Sequence, residues 1–291
     1  MTSIKAVSAA THHDWIVAVR ELSEAMPKPQ RQEPPSSRSL APREHGAYGQ
    51  VALPLMVALA SGTPHVAAAV VSGGAVLAFL AHEPVLVAAG LRGRHAQRSD
   101  GRRALRWALG FGGGAGVLYA GGAALAPPDA RWALLGCALL VALVVGTIAR
   151  RAERTLVGEL LVAATLPALA VPVALCTGSA ARLAVGVWLT WALGSAAATC
   201  AVRDVIAHLK TPRSTVRRLL AIGLVAAAAC GAFAAGALTA PMLALTAPMV
   251  LVSLAIVARP PHPRRLKQIG WTLVIASTVT AAGLLLLAHL G

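Results

Sequence analysis

From residue 47 onward the chain is a succession of long apolar stretches, and the short connections between them carry most of the charge. A bilayer core about 30 Å thick needs about 20 mostly apolar residues to cross it as a helix. Nine such stretches can be placed, at 47–62, 66–90, 104–126, 131–149, 156–176, 182–202, 216–238, 241–258 and 269–289. They are separated by helix-breaking sequences such as Ser61-Gly62-Thr63-Pro64, Pro127-Pro128-Asp129 and Arg259-Pro260-Pro261. Inside lipid every backbone N–H and C=O must be bonded within the chain, so repeated spans of this length mean helices. The expected fold is all-α, a polytopic membrane bundle of about nine transmembrane helices. Composition agrees: 13% of residues are charged and 57% hydrophobic, where soluble domains average about 25% charged. This excludes an ordinary soluble enzyme and a disordered chain.

The balance of 26 Lys and Arg against 11 Asp and Glu would in a soluble protein suggest nucleic-acid binding. Here the basic residues alternate with the spans instead of lining one soluble face, so no nucleic-acid partner is expected. All of them except Arg131 and Arg182 fall on one side of a nine-span arrangement, in the N-terminal segment and the second, fourth, sixth and eighth connections. Lys and Arg concentrate in cytoplasmic loops. The pattern therefore predicts a cytoplasmic N-terminus, an outside C-terminus and an odd number of spans; eight spans would break the alternation.

Residues 1–41 differ in composition and are expected to be a largely disordered cytoplasmic segment preceding a transmembrane domain at 42–291. Trp15, Ile16, Val19, Leu22 and Met26 recur at helical spacing, which allows a short amphipathic helix before a Pro- and Ser-rich linker. Trp15 to Val19 is too short to be the apolar core of a secretion signal, and none is expected. Cys137, Cys176, Cys200 and Cys230 lie within apolar stretches without close pairing and read as small buried hydrophobes. The run Gly110 to Gly116 and the alanines 226–229 are expected to let helix backbones approach closely.

Charged groups at membrane depth are costly, which makes each a candidate for function. Four clusters are placed on the arginine-rich side. His82-Glu83-Pro84 interrupts the second span and is followed by Arg92 and Arg94; Arg203, Asp204 and His208 close the sixth. Arg43, Glu44, His45 and Gln50 introduce the first span, bringing acid, imidazole and amide within a few residues, and Glu159 lies just inside the fifth after Arg150, Arg151, Glu153 and Arg154. Asp204 and His208, four apart, share one helical face. Arg203 is placed to pair either with Asp204 or with a carboxylate of another helix. If the clusters converge they form one polar cavity, with oxygen ligands that suit Mg²⁺ and arginines that grip phosphate bidentately. His45 and His82 are the candidate proton carriers.

The motifs Pro42-Arg43-Glu44-His45-Gly46-Ala47, His82-Glu83-Pro84 with Leu91-Arg92-Gly93-Arg94, and Arg203-Asp204 resemble the YwiC-like family of bacterial integral membrane proteins over about residues 42–290. That resemblance implies the bacterial cytoplasmic membrane as location. The arrangement is also similar to UbiA-type intramembrane prenyltransferases, which have nine helices and two Asp-rich, Mg²⁺-binding motifs after the second and sixth. This implies a UbiA-like fold and a prenyl diphosphate ligand. The chain departs from those motifs: Leu91-Arg92-Gly93-Arg94-His95 stands where the first would be, and Asp204 is a lone carboxylate at the second.

The expectation is a cytoplasm-facing cavity that binds or transfers an isoprenoid or lipid with an anionic head, with the bilayer itself as partner. In an enzyme, Glu83 and Asp204 would hold one metal, Mg²⁺, or polarise the head group, with His82 or His45 moving a proton. Arg43, Glu44, Arg92, Arg94, Glu159, Arg203 and His208 would bind the ligand. A small-molecule transporter and a non-catalytic accessory protein remain open. A transporter needs polar groups reachable from both sides, and an accessory protein needs no cavity.

Overall fold

The computed structural model describes residues 39–41, 45–152, 154–210, 215–260 and 266–290. The expected amphipathic helix near Trp15 lies outside them. They form ten helices: α1 (His45–Ala60), α2 (Val66–Ala88), α3 (Arg94–Leu125), α4 (Pro128–Ala149), α5 (Leu156–Ala168), α6 (Ala170–Cys176), α7 (Ala181–Lys210), α8 (Thr215–Ala234), α9 (Ala240–Ala258) and α10 (Leu266–Leu290). No described residue is in a strand. Seven segments are long and apolar enough to span a membrane, α5 and α6 together forming one of them; α1 and α8 are apolar but shorter. All nine apolar stretches read from the sequence correspond to helical segments, and the ends differ where charge prolongs a helix. α3 starts at Arg94, ten residues before its apolar stretch, and α7 runs to Lys210. Hydropathy marks what lies in lipid, whereas a helix continues as long as its backbone bonds are met.

Between lipid-embedded helices there is little hydrophobic drive to associate, so close packing of small residues holds the bundle. α2 lies along α3 with Ala67, Ala68, Val71 and Ala75 buried. A Cβ at Gly122 of α3 would come within 2.6 Å of Val71, and one at Gly114 within 3.0 Å of Leu77. The glycine run reads differently from the sequence expectation, because Gly110, Gly112, Gly113 and Gly116 meet nothing within 4 Å. Elsewhere Gly194 of α7 faces Met249 of α9 at 2.6 Å from the would-be Cβ. α7 packs against α5, α6, α8 and α9, and α10 closes the bundle against α1. Of the cysteines, Cys137, Cys176 and Cys200 are buried as expected, while Cys230 on α8 is exposed.

The break between α5 and α6 follows from proline chemistry. Pro172 has no N–H to give the carbonyl of Ala168, four residues before it. The Cys137 thiol of α4 donates to that carbonyl at 3.2 Å, and the Trp188 indole N–H of α7 donates to the Ala164 carbonyl at 2.9 Å. Cys137→Val, which removes the donor, is expected to lower stability by about 1 kcal/mol relative to Cys137→Ser, which keeps one. Thermal unfolding of the two variants in detergent checks this.

The end of the bundle away from most arginines is tied by loop contacts. Thr63 N–H donates to the Thr177 carbonyl at 2.9 Å, and the Thr177 hydroxyl donates to the carbonyls of Ala174 and Ala58 at 2.8 and 3.3 Å. Arg131 of α4 donates to the Ala126 and Ala124 carbonyls at 2.9 and 3.3 Å, which satisfies the last turn of α3.

Candidate functional site

At the other end the start of α1, the ends of α2, α4 and α7, and the starts of α5 and α10 surround a cavity of about 990 Å³. That is at the upper end of the 300–1,000 Å³ typical of small-molecule sites. Its walls are apolar, with Leu53, Leu86, Val144, Ile148, Val162 and Leu273. Its polar lining gathers where the arginine-rich connections meet it: Gln50, His82, Arg92, Arg154, Glu159 and Arg203. The structure thus brings together described members of all four sequence clusters.

Two ion pairs shape this lining. Glu83, about one and a half turns before the end of α2, is buried at 5% side-chain exposure, and Arg92 folds back over it. The Arg92 Nε lies 3.1 and 3.0 Å from the two carboxylate oxygens, and Nη2 lies 2.5 Å from Oε2. The chain can reverse this tightly because Gly90 and Gly93 adopt φ of 75° and 99°. The Gln97 side-chain amide then donates to the Ala88 carbonyl at 2.9 Å and closes the end of α2. A forked pair of this kind is the favourable way to keep a charge at such depth.

The second pair joins α7 to α5. Arg203 Nη1 is 2.8 Å from Glu159 Oε1 and donates to the Arg154 carbonyl at 3.0 Å. Of the two pairings open to Arg203, it is the one across to another helix that forms. Glu159 sits in the first turn of α5, whose Thr155 cap accepts from Gly158 N–H at 3.2 Å, so the helix dipole also favours its negative charge. The Arg154 side chain makes no ion pair or hydrogen bond with a described residue.

Among the sequence candidates, His82, Arg92, Glu159 and Arg203 line the cavity, and Glu83 is held through Arg92. Arg94 is exposed on α3, and Asp204 is half-buried on α7; neither lines it. Arg43, Glu44 and the side chains of His45 and His208 lie outside the described residues. Gln50, Arg154, Thr199 and Ser277 line the cavity without having been singled out. Gln50 and Arg154 belonged to polar clusters in the sequence, whereas Thr199 and Ser277 gave no signal among apolar neighbours. Among the described residues no group of three or more His, Cys, Asp or Glu is placed to hold a metal ion. Glu83 and Glu159 are moreover engaged by arginines.

Long apolar helices around a one-ended polar cavity define a polytopic helical membrane protein. The model of the YwiC-like protein family matches residues 41–175, and over that stretch the chain is similar to that family. It covers α1 to α6 and the Glu83–Arg92 fork. No curated protein and no solved structure matches the chain.

Proposed function

We propose that the cavity binds an isoprenoid or similar lipid through an anionic, phosphate-bearing head. The observation that carries this reading is the lining itself. Apolar walls suited to a chain end in a rim with three guanidiniums, of which Arg92 and Arg203 are held in place by carboxylates and Arg154 is left to meet a ligand. Arginine's planar fork matches phosphate oxygens, and fixed orientation reduces the entropy lost on binding. The excess of Lys and Arg at this end supports a cytoplasm-facing cavity in a bacterial inner membrane. Nine helical segments with polar groups closing α2 and α7 support a UbiA-type arrangement. If a reaction occurs, His82 is the lining group suited to carry a proton near neutral pH. The arginines would stabilise charge on a departing phosphate oxygen. No step is routed through Mg²⁺, because Glu83 and Glu159, the described carboxylates at the cavity, are held by arginines.

Native mass spectrometry of the purified protein with farnesyl diphosphate and with farnesol tests the reading. The diphosphate is expected to bind at least about tenfold more tightly, and Arg154→Ala to weaken it about tenfold, or about 1.4 kcal/mol. Arg203→Ala should weaken it as well by releasing Glu159 toward the head group. Equal binding of alcohol and diphosphate, or binding unchanged by both substitutions, would overturn it.

A further inference from the structure

We propose that the exposed arginine stripe on α3, apart from the cavity, is a binding surface for the anionic headgroups of membrane phospholipids. α3 has 32 residues, about 48 Å at 1.5 Å per residue, and exceeds the hydrocarbon thickness by more than three turns. The excess lies at its charged end. Arg94, Arg98, Arg102 and Arg106 follow one another at four-residue spacing and are all exposed. Each step of four turns the helix by only about 40°, so the four guanidiniums keep to one side along about 18 Å of axis.

None of the four makes an ion pair or hydrogen bond with a described residue. The acid within this stretch, Asp100, is buried and accepts a hydrogen bond from Ser99 at 3.2 Å. On the neighbouring α2, Glu83 is engaged by Arg92. Like charges four apart on a helix repel, so the stripe weakens its own helix unless anions from outside fill the space beside it.

The residues that follow identify the source of those anions. Leu105 and Leu109 come seven residues after Arg98 and Arg102, which puts them on the same face, and they are 52% and 67% exposed. Between them the Trp107 ring, itself exposed, lies 5.7 Å from the Arg103 guanidinium and edge-on to Phe111 at 5.3 Å. Tryptophan at this boundary marks the headgroup level of a bilayer. The apolar part of α3 is only 11% buried in the bundle, so the stripe runs directly into a lipid-facing surface. Arginines at phosphate depth continued by leucines at acyl depth fit a phospholipid. A free phosphate or a nucleic acid would use the arginines alone.

The test is native mass spectrometry of the full chain from nanodiscs of phosphatidylglycerol and phosphatidylcholine, counting retained lipids. The wild type is expected to keep phosphatidylglycerol preferentially. A variant with Arg94, Arg98, Arg102 and Arg106 all changed to Gln should lose that preference at least about tenfold, while the four corresponding changes to Lys keep most of it. Should the fourfold Gln variant fail to fold, as judged by melting in phosphatidylcholine, Arg102→Gln with Arg106→Gln should give an intermediate loss. Unchanged retention in a folded Gln variant would overturn the proposal. So would displacement of phosphatidylglycerol by inorganic phosphate, or binding of single-stranded DNA that competes with the lipid. Arg182→Gln, at an exposed arginine at the start of α7 that lines no part of the cavity, should leave this preference intact, which ties the effect to the stripe and not to loss of positive charge in general.

Discussion

Arg92→Met should be the most damaging single substitution at the cavity, lowering stability by about 3 kcal/mol. It removes the forked partner of a carboxylate that is 5% exposed, and a buried charge deprived of its partner typically costs about 3–5 kcal/mol. Glu83→Gln should be milder, since the Arg92 side chain is 29% exposed and reaches water. The double variant should recover much of the loss, because two neutral groups carry no unpaired charge. Unfolding of the four proteins in one detergent closes the cycle. At about 2–4 °C per kcal/mol for a chain of this size, Arg92→Met is expected to melt roughly 10 °C low. A melting point equal to the wild type would show that the pair does not support the fold.

Gly62→Ala should be nearly as severe at the opposite end. A Cβ there would collide with the backbone carbonyl of Thr177, with the carbonyl carbon only 2.9 Å away. Backbone cannot swing aside as a side-chain tip does, so the loops must part and the Thr63 to Thr177 bond is lost with them. Overpacking and one lost hydrogen bond together come to about 2–4 kcal/mol. Gly178→Ala in the facing loop isolates the conformational part: φ is 86° but nothing lies within 4 Å, and about 1–2 kcal/mol is expected. If Gly62→Ala melts no lower than Gly178→Ala, the close approach of the loops does not matter to stability.

The spans were legible in the sequence because hydropathy reports lipid burial directly, and each apolar stretch has its helix. Their ends were not, as α3 shows: Arg94 to Arg103 form good helix outside the apolar stretch, where hydropathy carries no signal. Glu83 stood out because a carboxylate two turns inside a span needs a partner. That the partner is Arg92 depends on the reversal at Gly90 and Gly93, a matter of backbone angles. Arg203 had two equally near acids along and across the fold, and the packing of α7 on α5 decided for Glu159. Arg154 was hidden by its neighbours, since Arg150 and Arg151 give the same topological signal without lining the cavity. Cys230 was misjudged because an apolar sequence does not distinguish a protein-facing from an outward-facing side of a helix.

The capping of α3 by Arg131 bears on how the protein responds to a membrane potential. With that guanidinium held against the Ala124 and Ala126 carbonyls, its charge is partly offset by the helix's own negative end. The electrical contrast between the two ends is then steeper than a count of basic residues suggests. Each elementary charge moved across 100 mV changes the energy by about 2.3 kcal/mol. A potential across the membrane therefore favours the orientation that puts the arginine-rich end on the negative side, and the opposite orientation becomes progressively more costly as the potential rises.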